Sequence, residues 1–335
     1  MSRRARARMI LVALVGLVAA SAALVAMILN ESSLPPEDRA MTRIWWRLAD
    51  RVGRRMDRLL YSAPEGGAGA VFLHHSCGRD WLASGLDAVM RERHSPAGCV
   101  SITYGTDLEP DPGRPDSLGT HGPPGDSTDM NHWVFWFNDY LGSVLAHGAA
   151  GGRHRIVLFK SCFPNSNIAD EGVEPGDPFS PERTLANYRA VFRHPEGPGA
   201  TWTRNGVTYR ALEDVFAAHP DVLFVYITSP PRHWAPDDAT NDSEARRARR
   251  FANWVKREWL SSYREAHAGL RNVAVFDWFD LLAYPDDAPR HPNRLRAEYG
   301  GADGDSHPNR TADRRTAAVF ATFLDAVVRD FEAQR

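Results

Sequence analysis

The sequence predicts an α/β domain in which about five parallel strands are flanked by helices. Short apolar runs alternate along the chain with longer amphipathic segments, and polar, chemically reactive residues follow each run. Runs that are apolar throughout are typical of strands buried on both faces, as in a parallel sheet. With 335 residues, 43% of them hydrophobic, the chain can bury such a core.

The N-terminal part has a different composition and is predicted to anchor the protein. Four arginines within residues 1–8 precede an uncharged apolar segment, 9–29, which is long enough as a helix to cross a bilayer. The basic flank predicts a cytoplasmic tail and an uncleaved transmembrane signal anchor, and a cleaved signal peptide is the alternative. Either way the domain is expected outside the cytoplasm, in the periplasm or at the cell surface.

Residues 30–67 are predicted to form a proline-containing linker and a basic amphipathic helix. Apolar side chains recur at helical spacing between positions 41 and 59, with arginines between them. Such a helix could lie on the membrane surface or dock on the domain, and the sequence leaves both open.

The charge distribution argues against nucleic acid as a partner. The first 60 residues hold eleven arginines against five acidic residues, whereas the remainder holds 29 basic and 37 acidic residues. Nucleic-acid affinity depends on neutralising phosphates, which an acidic domain does poorly. We therefore exclude DNA and RNA from the expected ligands.

The domain is predicted to span residues 68–335, with elements that alternate along it. Strands are expected at 70–74, 100–104, 155–160, 221–229 and 272–277. Helices are expected at 79–93, 130–148, 182–192, 209–219, 246–267 and 311–334. Open α/β sheets bind ligands at the carboxyl ends of their strands, where the reactive residues of this chain gather.

Ser76 is the natural candidate for a nucleophile. It comes just after the first strand and before a helical segment, so its hydroxyl can point into a cleft and its backbone N–H can join an oxyanion site. A serine needs a base, and His307, on the loop before the last helix, is the best candidate. An acidic residue must orient that imidazole, and both Asp303 and Asp305 lie near it.

These segments resemble the SGNH (GDSL-type) hydrolases, in a divergent form whose first block reads His-His-Ser-x-Gly. HHSCG (74–78) matches that block, TSPPRH (228–233) resembles the proline-bearing loop after the fourth strand, and DSHPN (305–309) matches the last block. The resemblance implies a three-layer, flavodoxin-like SGNH fold over 68–335. It also implies Ser76 as nucleophile and His307 as base.

The last block departs from the usual pattern, which puts the acid three residues before the histidine. Gly304 stands there, so the acid is Asp305 or Asp303. An Asp-x-His spacing occurs in SGNH-like polysaccharide O-acetyltransferases exported to the bacterial periplasm, and this favours Asp305.

The oxyanion donors that the resemblance implies are only partly recognisable. Ser76 supplies a backbone N–H, but KSCFPNSN replaces the usual Gly-x-Asn-Asp block, so Asn165 or Asn167 would provide the amide. The glycine of the second block would be Gly125, with Gly119 and Gly122 as alternatives.

Three further residues are predicted to line the cleft. His74 and His75 should face opposite ways on a strand, so one packs inside and His75 lines the cleft. Lys160 is one of only two lysines among forty basic residues, and a compact ammonium suits a tight polar pocket. Trp234, after the fourth strand, is a candidate for stacking on a sugar ring. No metal-ligand spacing is present, so we expect neither a metal ion nor a cofactor.

A disulfide between Cys77 and Cys162 is a further hypothesis. In a flavodoxin-like sheet the first and third strands are neighbours, and these cysteines lie just past the ends of those strands. Neighbouring strands are spaced suitably for a disulfide, and export permits one. Cys99 would remain a buried thiol.

The sequence thus predicts an exported, membrane-anchored serine esterase that removes acyl groups, acetyl being the first candidate, from small-molecule or glycan esters. One alternative is a polysaccharide O-acyltransferase with the same residues and a membrane partner as acyl donor. The other is a non-catalytic glycan-binding or scaffold domain that lacks oxyanion donors.

Overall fold

The computed structural model describes residues 36–61, 69–94, 98–103, 108, 128–234 and 242–334. The chain divides into two compact units, Met1–Tyr61 and Ser62–Arg335. The predicted transmembrane segment, 9–29, lies outside the described residues. Within the part of the chain that is described, no helix is both long and apolar enough to cross a bilayer.

The first unit contains a single long helix among its described residues. Helix α1, Pro36–Leu60, has 25 residues and includes the predicted amphipathic segment. Three of its leucines, Leu48, Leu59 and Leu60, are largely exposed. The helix is therefore confirmed, while its placement on a membrane or on the domain stays a prediction.

The second unit is built on a parallel sheet of five strands, as the sequence predicts. Its strands are β1 (Ala70–Leu73), β2 (Cys99–Ile102), β3 (Ile156–Phe159), β6 (Leu223–Ile227) and β7 (Val273–Phe276). They are all parallel and lie in the order β2-β1-β3-β6-β7, which is consistent with a flavodoxin-like fold. The register pairs Leu73 with Phe159, so β1 and β3 end side by side.

Helices cover both faces of this sheet. They are α2 (Ser76–Trp81), α3 (Asp87–Arg93), α4 (His132–Asp139), α5 (Leu141–Ala146), α6 (Leu185–Phe192), α7 (Leu212–Ala217), α8 (Asp242–Asn253), α9 (Leu260–Ala266), α10 (Trp278–Leu282) and α11 (Arg310–Ala333). Helices α4 to α9 share one core with alternate strand residues. Helices α2, α3 and α11 pack on the other face.

A short antiparallel hairpin is the element that the sequence analysis missed. Strands β4 (Thr201–Arg204) and β5 (Val207–Arg210) pair with each other, whereas the predicted helix 209–219 begins only at Leu212. Asn205 and Gly206, the turn residues, both have positive φ, 50° and 78°. Asn-Gly is the preferred pair for such a two-residue turn, so this signal was present in the sequence.

The helix that begins at Ser76 is not continuous. The predicted segment 79–93 begins three residues early and passes through a π-helical stretch, Leu82–Leu86, in which Gly85 has a φ of 146°. Trp81 holds the first part of the helix in place. It is fully buried, stacks on Trp278 at 4.6 Å between ring centroids, and donates through Nε1 to the Asp313 carbonyl oxygen on α11. A stacked aromatic pair contributes about 1 kcal/mol of stability beyond its burial. The Trp81–Trp278 contact therefore stabilises the position of α2 on the sheet.

Candidate active site

The site lies at the carboxyl ends of β1 and β3, where the sequence analysis expected it. Ser76 is the first residue of α2, and only His74 and His75 separate it from the end of β1. His307 lies in the loop before α11, and Asn309 caps that helix by accepting the backbone N–H of Ala312 at 3.0 Å. A capped helix start fixes the direction of the chain that enters it. Two helix N-termini therefore position the serine and the histidine.

Ser76, His307 and Asp305 form a continuous hydrogen-bonded chain. Ser76 Oγ lies 2.8 Å from His307 Nε2, and His307 Nδ1 lies 2.7 Å from Asp305 Oδ1. Because a carboxylate only accepts, Nδ1 carries the hydrogen and Nε2 accepts the serine hydroxyl. Asp305 Oδ1 also accepts the backbone N–H of His307 at 3.0 Å, which fixes the carboxylate to the same loop.

Asp305 contacts the imidazole through its carboxylate. Among the contacts of Asp303, its backbone N–H donates to the Gly300 carbonyl oxygen at 2.9 Å. Asp305 is more exposed than the histidine it contacts: 45% of its side chain is exposed, compared with 22% for His307. An exposed carboxylate orients a ring as well as a buried one but stabilises its positive charge less, since solvent screens it.

Phe163, which the sequence analysis did not single out, packs against the histidine. Its ring meets the His307 ring edge-on, 5.1 Å between centroids, and the Arg232 guanidinium lies 5.7 Å from the Phe163 ring centre. This contact limits rotation of the imidazole. Nothing in the sequence distinguishes Phe163 from a core aromatic, because its role depends on a contact with a loop over a hundred positions away.

The proline-bearing loop after β6 holds the loop that carries the histidine. Ser306 Oγ accepts the backbone N–H of His233 at 3.2 Å and lies 2.6 Å from His233 Nδ1. The Trp234 backbone N–H donates to the Gly301 carbonyl oxygen at 3.0 Å. These contacts fasten segment 301–306 on both sides of Asp305.

Trp234 has less room to stack on a sugar than the sequence suggested. Its ring lies on the ring of His291, 3.8 Å between centroids and nearly parallel. One face of the indole is therefore covered within the protein. A sugar could reach only the other face, and stacking there stays a prediction.

The two histidines before the serine have different surroundings. His74 is fully buried, donates from Nδ1 to the His75 carbonyl oxygen at 2.8 Å, and accepts from the Ser101 hydroxyl at Nε2 at 2.7 Å. Burial, aided by the nearby charge of Lys160, lowers the pKa of His74 to about 3, so its ring stays neutral. His75 Nδ1 lies 3.3 Å from Ser76 Oγ and thus faces the nucleophile.

Gly78, the last residue of the HHSCG block, is needed for packing against His74. A Cβ at this position would lie 2.4 Å from His74 Cβ and 2.6 Å from its Cγ. We expect Gly78→Ala to lower the free energy of unfolding by about 2 kcal/mol, because a packed interior tolerates no such overlap. Denaturant unfolding would measure the loss. In a His74→Gly background, which removes the Cβ as well as the ring, the same change should cost much less; an equal cost there would assign the effect to something other than this clash.

Asn165 makes contacts that only partly agree with a role as an oxyanion donor. Its Oδ1 accepts the backbone N–H of Met130 at 3.0 Å and the hydroxyl of Tyr188 at 3.3 Å, and its Nδ2 donates to Asp129 Oδ1 at 2.7 Å. These bonds fix the amide beside segment 128–131. No described residue accepts its second amide hydrogen, and its role as an oxyanion donor stays a prediction. Gly125, the other predicted donor, lies outside the described residues.

Cys77 and Cys162 are adjacent, but the predicted bond between them is not formed. Both are free thiols, with Sγ atoms 3.2 Å apart, against about 2.05 Å in a disulfide. Their proximity follows from the pairing of β1 with β3. Cys99 is a buried thiol whose pKa is raised by its burial.

Lys160 lies deeper than a cleft residue would. It is fully buried, its ammonium stands 5.5 Å from the centre of the Trp278 ring, and its Nζ has no hydrogen-bond acceptor among the described residues. The expectation that Lys160 lines an open cleft is therefore corrected. Lys160 directly follows Phe159, the last residue of β3. Because successive side chains alternate, it faces the side of the sheet opposite to Phe159, under α2.

No group of three or more His, Cys, Asp or Glu side chains within the described residues is arranged to hold a metal ion. No family model matches the chain, and comparison with curated proteins finds no match.

Proposed function

We propose that this protein is an SGNH-type serine esterase, anchored in a membrane by residues 9–29 with its domain outside the cytoplasm. The observation that carries the proposal is the Ser76–His307–Asp305 chain, with distances of 2.8 and 2.7 Å at the carboxyl end of a parallel sheet. The strand order and the three residue blocks of the resemblance support the same family.

The mechanism follows from the proton path. Ser76 Oγ attacks the carbonyl carbon of an ester while His307 Nε2 takes the serine proton, and Asp305 keeps the imidazole in the correct tautomer. The Ser76 backbone N–H, at the start of a helix, is the first oxyanion donor, and the Asn165 side-chain amide is the second donor that the resemblance implies. His307 then gives its proton to the leaving alcohol, which leaves an acyl-serine.

Water or a sugar hydroxyl completes the cycle. Water activated by His307 releases the acid, which makes the protein an esterase. A sugar hydroxyl in the same position makes it an O-acyltransferase, and the acyl donor would then be a membrane partner. We favour the esterase, since the 22% exposure of the His307 side chain leaves the ring accessible to solvent.

Acetate release from acetylated sugars, such as acetylated xylan oligomers, tests this proposal with the full-length protein. Wild type is expected to release acetate, and Ser76→Ala to release none above the uncatalysed rate. Acetyl groups appearing on an added acceptor sugar, without free acetate, would favour the transferase. Binding of the sugars without either product, together with no turnover of an activated aryl acetate, would favour the non-catalytic alternative.

A further inference from the structure

Two cysteine side chains form part of the wall around the Ser76 hydroxyl. Cys77 follows the serine in α2. Cys162 lies just after the end of β3, the strand that pairs with β1. Their sulfur atoms are 3.2 Å apart, and Cys162 Sγ lies 3.5 Å from Ser76 Oγ. A change in the charge or bonding of the Cys162 sulfur would therefore alter the surroundings of the Ser76 hydroxyl directly.

A buried positive charge accompanies this pair. Lys160 is two residues before Cys162, is fully buried, and has no hydrogen-bond acceptor for its ammonium among the described residues. A buried ammonium is stable only if a negative charge lies close to it. The nearby cysteines can supply such a charge, because a thiol can lose its proton.

The two thiols differ in their tendency to ionise. A hydrogen bond from Cys77 and the charge of Lys160 together hold the pKa of Cys162 well below its usual range, in spite of burial. Burial, and then the contact with Cys162, raises the pKa of Cys77. The two sulfur atoms are 3.2 Å apart, and of the two thiols Cys162 is the one that ionises more readily. A thiolate beside a second thiol is the arrangement that thiol–disulfide exchange requires.

We propose that Cys77 and Cys162 are a reversible thiol–disulfide couple that controls the reactivity of Ser76. The Cys162 thiolate attacks one sulfur of a small disulfide oxidant and expels the other half as a thiolate, which gives a mixed disulfide. Cys77 loses its proton and attacks the Cys162 sulfur, which expels the second thiolate. Overall the protein loses two electrons and the Cys77 proton, and the oxidant, which takes its second proton from solvent, is reduced to two thiols.

The expected effect on Ser76 is activation by oxidation. A serine hydroxyl has a single hydrogen, and the Cys162 thiolate at 3.5 Å competes for it with His307 Nε2 at 2.8 Å. The thiolate charge also opposes the oxyanion that forms on the ester under attack. A disulfide is uncharged and a weak acceptor. Closing it removes both effects, and we expect Ser76 to react about tenfold faster.

The effect on Ser76 rests on the proposed esterase function, whereas formation of the bond does not, so the test measures the two separately. The full-length protein is equilibrated with bis(2-hydroxyethyl) disulfide or with dithiothreitol, then denatured, alkylated and weighed. Reduced protein should take up three alkyl groups, since it has three thiols, and oxidised protein only the one on Cys99. The rate of fluorophosphonate labelling of the native protein, in each redox state, reports on Ser76.

Two variants give the matched controls. Cys77→Ser should stop at the mixed disulfide on Cys162, because no thiol remains to resolve it. Cys99→Ser removes a thiol away from the pair and should oxidise as wild type does. Should Cys77→Ser fail to fold, wild type and Cys99→Ser still decide the matter.

Each outcome bears on a definite part of the proposal. Equal alkylation in both states, a stable mixed disulfide in wild type, or slower labelling after oxidation would overturn the couple as described. Labelling without any disulfide would remove the couple and leave the esterase. A disulfide with no labelling in either state would refute the esterase and, with it, control of Ser76, while the bond itself would stand.

Discussion

A fluorophosphonate is expected to form one adduct on the wild-type protein, at Ser76, and none on Ser76→Ala or His307→Ala. The reagent reacts with a serine whose proton is taken during attack, and here the 2.8 Å contact with His307 Nε2 provides the acceptor. Loss of either group should lower kcat for an activated ester by about 10⁴-fold or more. Intact mass gives the adduct, and peptide mapping gives its position.

Two controls separate loss of the base from loss of the fold. His94→Gln changes a histidine that pairs with Asp325, on the outer helices, and should label as wild type does. Free imidazole should restore part of the activity of His307→Ala, because a small base can occupy the vacated space, but none of that of Ser76→Ala. An adduct that persists in Ser76→Ala would move the nucleophile elsewhere, with the nearby Cys162 as the first candidate.

The fold could be predicted from sequence where burial alone determines it. All five strands of the sheet are apolar runs, and each lies within two residues of its expected bounds. The hairpin β4–β5 could not be predicted from apolar periodicity, because its strands are partly exposed and carry charged and polar residues. Only the Asn-Gly turn marks the hairpin in the sequence.

The position of the site could be predicted from strand ends, but its internal contacts could not. Parallel strands bring their carboxyl ends to one edge, which places Ser76 near Cys162 without any knowledge of side chains. The covering of Trp234 by His291, in contrast, depends on how two loops close on each other. The burial of Lys160 follows from the alternation of side chains along β3, because Phe159 faces the core shared with α4 to α9 and the next residue faces the other side of the sheet.

Asp305→Asn is expected to lower kcat about 10²-fold, with little change in the free energy of unfolding. An asparagine can present its amide hydrogens to His307 Nδ1, which favours the tautomer with the hydrogen on Nε2, where Ser76 needs an acceptor. A fully buried acid of this kind is worth about 10⁴-fold. We expect the smaller loss, about 10²-fold, because 45% of the Asp305 side chain is exposed. Solvent screens the attraction between an exposed carboxylate and the imidazolium, so less stabilisation is lost when the carboxylate is replaced.

Asp303→Asn provides the matched comparison, because it makes the same chemical change two residues away on the same loop. Asp305 Oδ1 accepts from both Nδ1 and the backbone N–H of His307, whereas the backbone N–H of Asp303 bonds to Gly300. We therefore expect Asp303→Asn to stay within about threefold of wild type in kcat, because the Asp305 carboxylate that accepts from His307 Nδ1 is left in place. If Asp303→Asn instead caused the larger loss, the acid would be the one four residues before the histidine. The loop would then have to rearrange when substrate binds. Equal, small losses for both variants would show that His307 works without a carboxylate, oriented by Phe163 and its own loop.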